Sequence, residues 1–454
     1  MSDLFVSDAA VLRPDGTIDH HQDVIVKDGI LESIRPHIPH QPDLSSHARI
    51  LNGSGRLLMP PLADCHMHTG QQLLKGQILD ALPMIWTRIM LPFESTLTPE
   101  RMTLSAELAA LEMILSGTGA FIDAGSYYME SAAEVYAASG LRGILSASTM
   151  DQPGLPETIA QTAEEAIAQT DRLYDAFHQR GLLKVAYSLR SLISCSPRLI
   201  AMAGERAAER NTLLQAHMNE YPNEVNYFLQ HYAMRPVEYL ESLNILSPGF
   251  LSAHSILLSD HEKDLLAANH CKVCHCPFSN CGKGAPDAPG LLSRGITVGL
   301  GTDGAAHGGL SLWNEMKIFR SVMNLKWGVA SSDPAIMPAL QILSMATQKG
   351  YEIMGIPEGG QMKEGSAADF ITINLDQPHL YPTGSLSNTL VESVTAGDVN
   401  DMVINGNLVM KDRQILTLDQ EKILYEARKY AGSLSSFAPA RENNKQKEKK
   451  EAGS

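Results

Sequence analysis

A disulfide framework, a membrane-length apolar run, a basic excess and a phosphate loop are all missing from this chain, and each absence closes off a class of function. Six cysteines in 454 residues do not make a disulfide scaffold, so reduced thiols are expected. No stretch reaches the roughly 18 uninterrupted apolar residues of a membrane span, so no membrane partner is expected. The opening MSDLFVSDAAVLRPDG carries Asp3 and Asp8 where a secretory signal needs a basic start and an apolar core, and a cytoplasmic location follows as the expectation. Acidic side chains outnumber basic ones 51 to 36, giving a formal net charge of −15. Such a surface repels polyphosphate, which argues against nucleic acid as a partner. No G-x-x-x-x-G-K-[ST] loop is present to cradle a phosphorylated substrate.

What remains is ordinary globular material, 44% hydrophobic and 19% charged. The length suits a (β/α)8 barrel of roughly 250–400 residues with a smaller satellite. Residues 1–58 read as short strands separated by tight turns: LFVSDAAVL, DVIVKDGILESI and RILNGSGRLL, with turn chemistry at Lys27-Asp28-Gly29 and Asn52-Gly53. The same texture returns in 366–440, with DFITINL and DMVINGNLVMKDRQIL around the hairpin signal Asn405-Gly406, followed by a C-terminal helix. Neither end has strands enough to bury a core alone, so both are expected to build one small β-sandwich beside the barrel. The tail, residues 441–454, is charged and without apolar anchors, and is expected to be disordered.

Between them, residues 59–365 hold eight candidate strands: RLLMPPLADCHMH, GAFIDAG, RGILSAS, LLKVAYSLR, TLLQAHMNE, GFLSAHSI, HCKVCHCPF and ITVGLGTDG. Stretches such as PERMTLSAELAALEMILSG separate them with helical spacing and a closing glycine. The alternation predicts an α/β fold with parallel pairing, a (β/α)8 TIM-like barrel. Five polar signals sit at strand ends: His66-Met67-His68, Arg190, His217-Met218-Asn219-Glu220, His254 and Thr302-Asp303-Gly304. The loops after barrel strands share one rim, which is where such a fold gathers its chemistry.

His66 and His68, two apart on a strand, face the same side and can grip one ion. With His217 and Asp303 they form a candidate set for one divalent metal ion, Zn2+ first and Fe2+ second, because imidazole suits both. Asp303 can also accept a proton from water, or simply cap the Asp-Gly turn. Glu220 lies beyond the strand end, placed for proton shuttling or as an exposed helix-start residue. His254 can orient the attacking water, ligate the metal, or fill the core. His307, just past Asp303, can touch substrate or be a loop histidine. Cys271, Cys274, Cys276 and Cys281 alternate across a strand, which cannot wrap four thiolates around one ion, so they are expected to be buried small residues.

The motifs MPPLADCHMHTGQQLLKG, LPFESTLTPE, QAHMNEYPNEV, SAHSI, HCPFSN and VGLGTDGAA resemble the amidohydrolase superfamily, in its branch of mononuclear aminohydrolases. The resemblance runs over nearly the whole length. It implies a metal held by His66, His68, His217 and Asp303, with Glu220 and His254 handling protons and steadying developing charge. Binuclear relatives carry a carboxylated lysine after strand four; SLRSL stands there instead, which implies one metal. By the same resemblance Gln71 and Arg190 match guanine deaminases, where they hold the purine edge. Glu94 matches the ribose-contacting glutamate of S-adenosylhomocysteine and 5-methylthioadenosine deaminases. The GAAHGGLSLW run departs from the guanine deaminase pattern. The expected reaction is release of ammonia from an aminated N-heterocycle, guanine-like first, with adenosine-type nucleosides or aminotriazines as alternatives. A catalytically silent scaffold is the non-enzyme reading. The branch often forms homodimers.

Overall fold

In a computed structural model of the chain, residues 3–39, 49–78 and 85–434 are described; the tail at 441–454 lies outside them. The N-terminal strands are β1 (Leu4–Leu12), β2 (Ile18–Lys27), β3 (Ile30–Pro36), β4 (Arg49–Asn52) and β5 (Arg56–Met59). The barrel strands follow as β6 (Leu62–Met67), β7 (Thr118–Asp123), β8 (Arg142–Leu145), β9 (Leu183–Val185), β10 (Tyr187–Leu189), β11 (Leu214–Met218), β12 (Phe250–His254), β13 (Lys272–His275) and β14 (Thr297–Leu300). The chain then returns through β15 (Phe370–Asn374), β16 (Val399–Ile404), β17 (Asn407–Lys411) and β18 (Gln414–Ile415).

Strands from the two ends join in one nine-stranded sheet, ordered β18-β17-β16-β15-β5-β1-β2-β3, with β4 also on β1. It encloses its own core of Leu4, Val6, Val24, Leu31, Leu58, Phe370 and Val403. Asp28 and Gly29 turn with φ of 51° and 82°, and Asn405 and Gly406 with 50° and 73°, the left-handed pairs that two-residue hairpins require. Asn52-Gly53 behaves differently. Both β4 and β5 run parallel to β1, so the turn there shifts the chain along one partner and does not reverse it.

All eight predicted barrel strands form, each pairing in parallel with its neighbour, and helices such as Pro99–Ser116, Met129–Ser139, Ala163–Phe177 and Pro197–Glu209 fill the intervals. Local chemistry sets their limits. Thr162 and Glu165 make a reciprocal capping box, and Gly117, at φ 83°, stops the helix before β7. Strand four is the exception to continuity: β9 pairs with β8 and β10 with β11, with Ala186 between, whose amide still donates to Leu145 O at 2.9 Å. From residue 419 the chain forms a second unit, in which Gln420–Leu434 is helical. No helix among the described residues is long and apolar enough to cross a membrane. Cys271, Cys274 and Cys276 are buried as expected, whereas Cys281 is exposed, because it ends a short helix (Pro277–Cys281) beyond the strand.

The first and last barrel strands meet at the rim. Asp303 N donates to His66 O at 2.8 Å, and buried Asp64 accepts from the amides of His66 and Thr302, both at 3.1 Å, and from the Thr302 hydroxyl at 2.6 Å. Gly301 makes this approach possible. A Cβ there would fall 2.8 Å from His66 N, 2.9 Å from His66 O and 2.8 Å from Cys274 Sγ. Gly301→Ala is therefore expected to cost about 1–3 kcal/mol, as overpacking against backbone does, and to reduce metal retention. Thermal unfolding and metal analysis check this; an unchanged melting temperature and metal content would show that the seam yields.

Candidate active site

Register and pleat bring the predicted residues to one place. His66 of β6 and His68, in extended backbone just past its end, lie two apart on one face, and Met218 of β11 lies opposite His254 of β12. At the strand ends the backbone turns through left-handed conformations at Asn219 (φ 50°), His254 (67°), Ser255 (53°) and Asp303 (60°). Such conformations cost a non-glycine residue about 1–3 kcal/mol and persist only where surroundings enforce them. Here Ser255 N donates to Met218 O at 3.0 Å and Leu257 N to Asn219 O at 3.0 Å. Buried Glu262 ties the same loop down by accepting from Asn219 Nδ2 at 3.0 Å and Arg235 Nε at 2.6 Å.

His66, His68, His217 and Asp303 offer ligand atoms that all lie within 4.8 Å of one another. His68 Nε2 and His217 Nε2 face each other at 3.1 Å. Asp303 Oδ1 is 3.5 Å from His66 Nε2 and 3.4 Å from His68 Nε2. Both nitrogens of buried His66 lack a hydrogen-bond partner, an arrangement that burial penalises unless a cation takes the lone pair. Burial, then the Arg190 charge, hold His68 well below the usual imidazole range; burial, then His66, do the same for His217. Neutral rings keep their lone pairs free. Burial opposes the charge on Asp303, but the imidazoles of His254 and His307 outweigh it and hold the carboxyl well below its usual range. Three imidazoles and one carboxylate suit a divalent ion such as zinc.

A second group stands beside the first: Glu220, His254 and Asp303 also bring their ligand atoms within 4.8 Å of one another. His254 Nε2 is 3.7 Å from Glu220 Oε1, while its Nδ1 donates to Asn280 Oδ1 at 3.0 Å. Asn280 in turn donates from Nδ2 to His275 Nδ1 at 2.7 Å. That chain leaves Nε2 of His254 as an acceptor facing the site, and burial keeps the ring neutral with its pKa lowered to about 4. Glu220 is ionised: burial raises it, but His254 and then Lys283 pull it below its ordinary value.

Three of the four expected substrate residues, Gln71, Glu94 and Arg190, form one buried network. Glu94 Oε1 accepts from Gln71 Nε2 at 2.9 Å and from Arg190 Nη2 at 2.7 Å. Arg190 Nη1 also reaches His68 Nδ1 at 2.8 Å and Gly125 O at 3.1 Å. Glu94 Oε2 and Gln71 Oε1 are left without partners. His307 reaches Asp303 Oδ2 with Nε2 at 3.3 Å, so the structure places it against the carboxylate. Asp64, Ser279, Asn280 and Lys283 were not singled out from sequence. Ser279 and Asn280 lie inside the HCPFSN motif, which signalled the neighbourhood but not their partners.

The amidohydrolase family model matches residues 57–409. A protein of Bacillus cytotoxicus named 5-methylthioadenosine/S-adenosylhomocysteine deaminase is 33% identical over 394 residues, covering 85% of this chain and 88% of that one. Among solved structures, an adenosine deaminase of Xanthomonas campestris with bound zinc superposes with a TM-score of 0.88 at 22% identity, over 96% of this chain and 99% of the other. A guanine deaminase of C. acetobutylicum does so with 0.81 at 21%, over 90% and 100%. These two likenesses speak for the fold, including the TIM-like barrel. Converging imidazoles at the rim, the matched family model and the similarity over most of both sequences lead to one conclusion: the chain belongs to the amidohydrolase family and is a hydrolase.

Proposed function

We propose that the protein is a hydrolytic deaminase that releases ammonia from an amino-substituted N-heterocycle of purine size. The observation that carries this is the placing of Glu220, His254 and Asp303 in one cluster beside three convergent imidazoles. His66, His68, His217 and Asp303 would hold the divalent ion, zinc first. When bound, such an ion supplies Lewis acidity that brings water within reach of ionisation near neutral pH. Asp303 Oδ2 accepts the proton of the attacking water. His254, neutral and with Nε2 free to accept, fixes the water's direction. Glu220, ionised at rest, takes up a solvent proton and delivers it to the ring nitrogen beside the aminated carbon, which makes that carbon electrophilic. Asp303 then gives the water's proton to the departing amine, Glu220 takes the proton of the added hydroxyl, the carbon–nitrogen bond breaks, ammonia leaves and a carbonyl remains.

For the substrate, an adenosine-type nucleoside stands first. Glu94 Oε2 is a buried carboxylate oxygen without a partner, suited to accept from a sugar hydroxyl. The name of the Bacillus cytotoxicus relative points the same way. A guanine-like ring is the second reading, supported by Arg190 and Gln71 on the same wall and by the free Gln71 Oε1. It ranks lower because the Arg190 guanidinium is already committed to Glu94, His68 and Gly125.

Glu224 supports the proton shuttle by accepting from Glu220 N at 3.2 Å through Oε2. Burial pushes its carboxyl from the ordinary 4.5 up to about 8, so it is protonated in the folded protein at neutral pH.

Ammonia release should appear with 5-methylthioadenosine, S-adenosylhomocysteine or adenosine ahead of guanine, 8-oxoguanine and aminotriazines; activity confined to guanine would select the second reading, and silence across the panel would refute the deaminase assignment. In the metal-loaded enzyme, Glu220→Gln should keep the ion yet lose turnover by at least about a hundredfold; a rate near wild type would remove the shuttle. Between pH 4.5 and about 8 the folded state holds a proton on Glu224 that the unfolded chain has lost, so this group's contribution to stability declines as pH rises through that window. Thermal unfolding of Glu224→Gln should lack that decline, and curves parallel to wild type would show that Glu224 does not titrate this way.

A further inference from the structure

The loop after β13 sends one more charged side chain into the site, and no step above uses it. Lys283 is 9% exposed along its side chain. Its Nζ donates to Glu220 Oε1 and, at 2.9 Å, to Ser279 Oγ, and lies 3.8 Å from Asp303 Oδ2. The ring of Tyr221 covers it, 5.3 Å from Nζ to the centroid. Ser279 completes the circuit by donating to Asp303 Oδ2 at 2.5 Å. An ammonium has three N–H donors and no acceptor, and three oxygens surround this one. The group therefore joins three rim loops, those following β11, β13 and β14.

A surface tie between loops would be exposed and worth little. This ammonium is buried instead between the two carboxylates assigned to proton handling. Its bond to Oε1 leaves Glu220 only Oε2 with which to meet a ring nitrogen. We propose, resting on the deaminase reading, that Lys283 is a positioning residue for the reaction: it holds Glu220 with Oε2 turned to the substrate and, with Ser279, sets Asp303 Oδ2 toward the attacking water. The substrate does not touch it. Its loss should slow the chemical step far more than it weakens binding.

The test is steady-state kinetics of metal-loaded Lys283→Ala on the best substrate of the panel, with metal content measured alongside. The expected result is a fall in kcat of about ten- to a hundredfold, the usual penalty for a misplaced catalytic group, with KM within about threefold, full metal occupancy, and saturable recovery of kcat on adding ethylammonium. Lys283→Met, which retains the apolar stem, serves if the alanine variant does not fold. A kcat within about twofold of wild type, or a loss that tracks metal release and resists the amine, would overturn the assignment while leaving the deaminase reading intact. A wild-type enzyme inert toward the whole panel would overturn both.

Discussion

The contact between β6 and the turn that follows β14 is the one on which the candidate site depends. Asp64 is the clamp. Its carboxylate collects two backbone amides and one hydroxyl from the two strands, and burial still pushes its pKa up to about 6. The groups that bind it are those immediately before His66 and Asp303, so the imidazole and the carboxylate that must converge are set by one hidden side chain. Gly301 allows the backbones to come that close. A buried carboxylate with its acceptors filled is a rigid joint; one partner removed would leave an expensive orphan.

Charge alternates around the site in a way that sets each protonation state. Carboxylates at Glu220 and Asp303 are each bounded by cations or imidazoles, and burial keeps His68, His217 and His254 neutral. Glu224 is the exception. Buried and with no cation among its partners, it retains its proton where Glu220, four residues earlier, does not. Two glutamates four residues apart thereby differ in charge, because one has His254 and Lys283 beside it and the other is buried near carboxylates.

Much of this was legible in the sequence, for a local reason. A His-x-His on a strand, an apolar run ending in His-Met-Asn-Glu, and an Asp-Gly turn are short patterns whose geometry follows from pleat and turn chemistry. The eight strands and the role of both termini in one sheet were readable from periodicity alike. What escaped depends on convergence. Lys283 is 63 residues from Glu220, and only the packing of separate loops makes them partners. The break of strand four at Ala186 leaves no mark in LLKVAYSLR, and the parallel course of β4 and β5 cannot be told from a hairpin when Asn-Gly lies between them. His254 ends β12, yet its tautomer is decided by Asn280 and His275, whose relation is spatial.

The order of strands in the nine-stranded sheet bears on how the protein is made. Strand β5 leads directly into β6, and its antiparallel neighbour is β15, residues 370–374. The strand carrying His66 finds its partner in β7, within some sixty residues, but the sheet that β5 belongs to cannot be complete until residues 370–374 have been made.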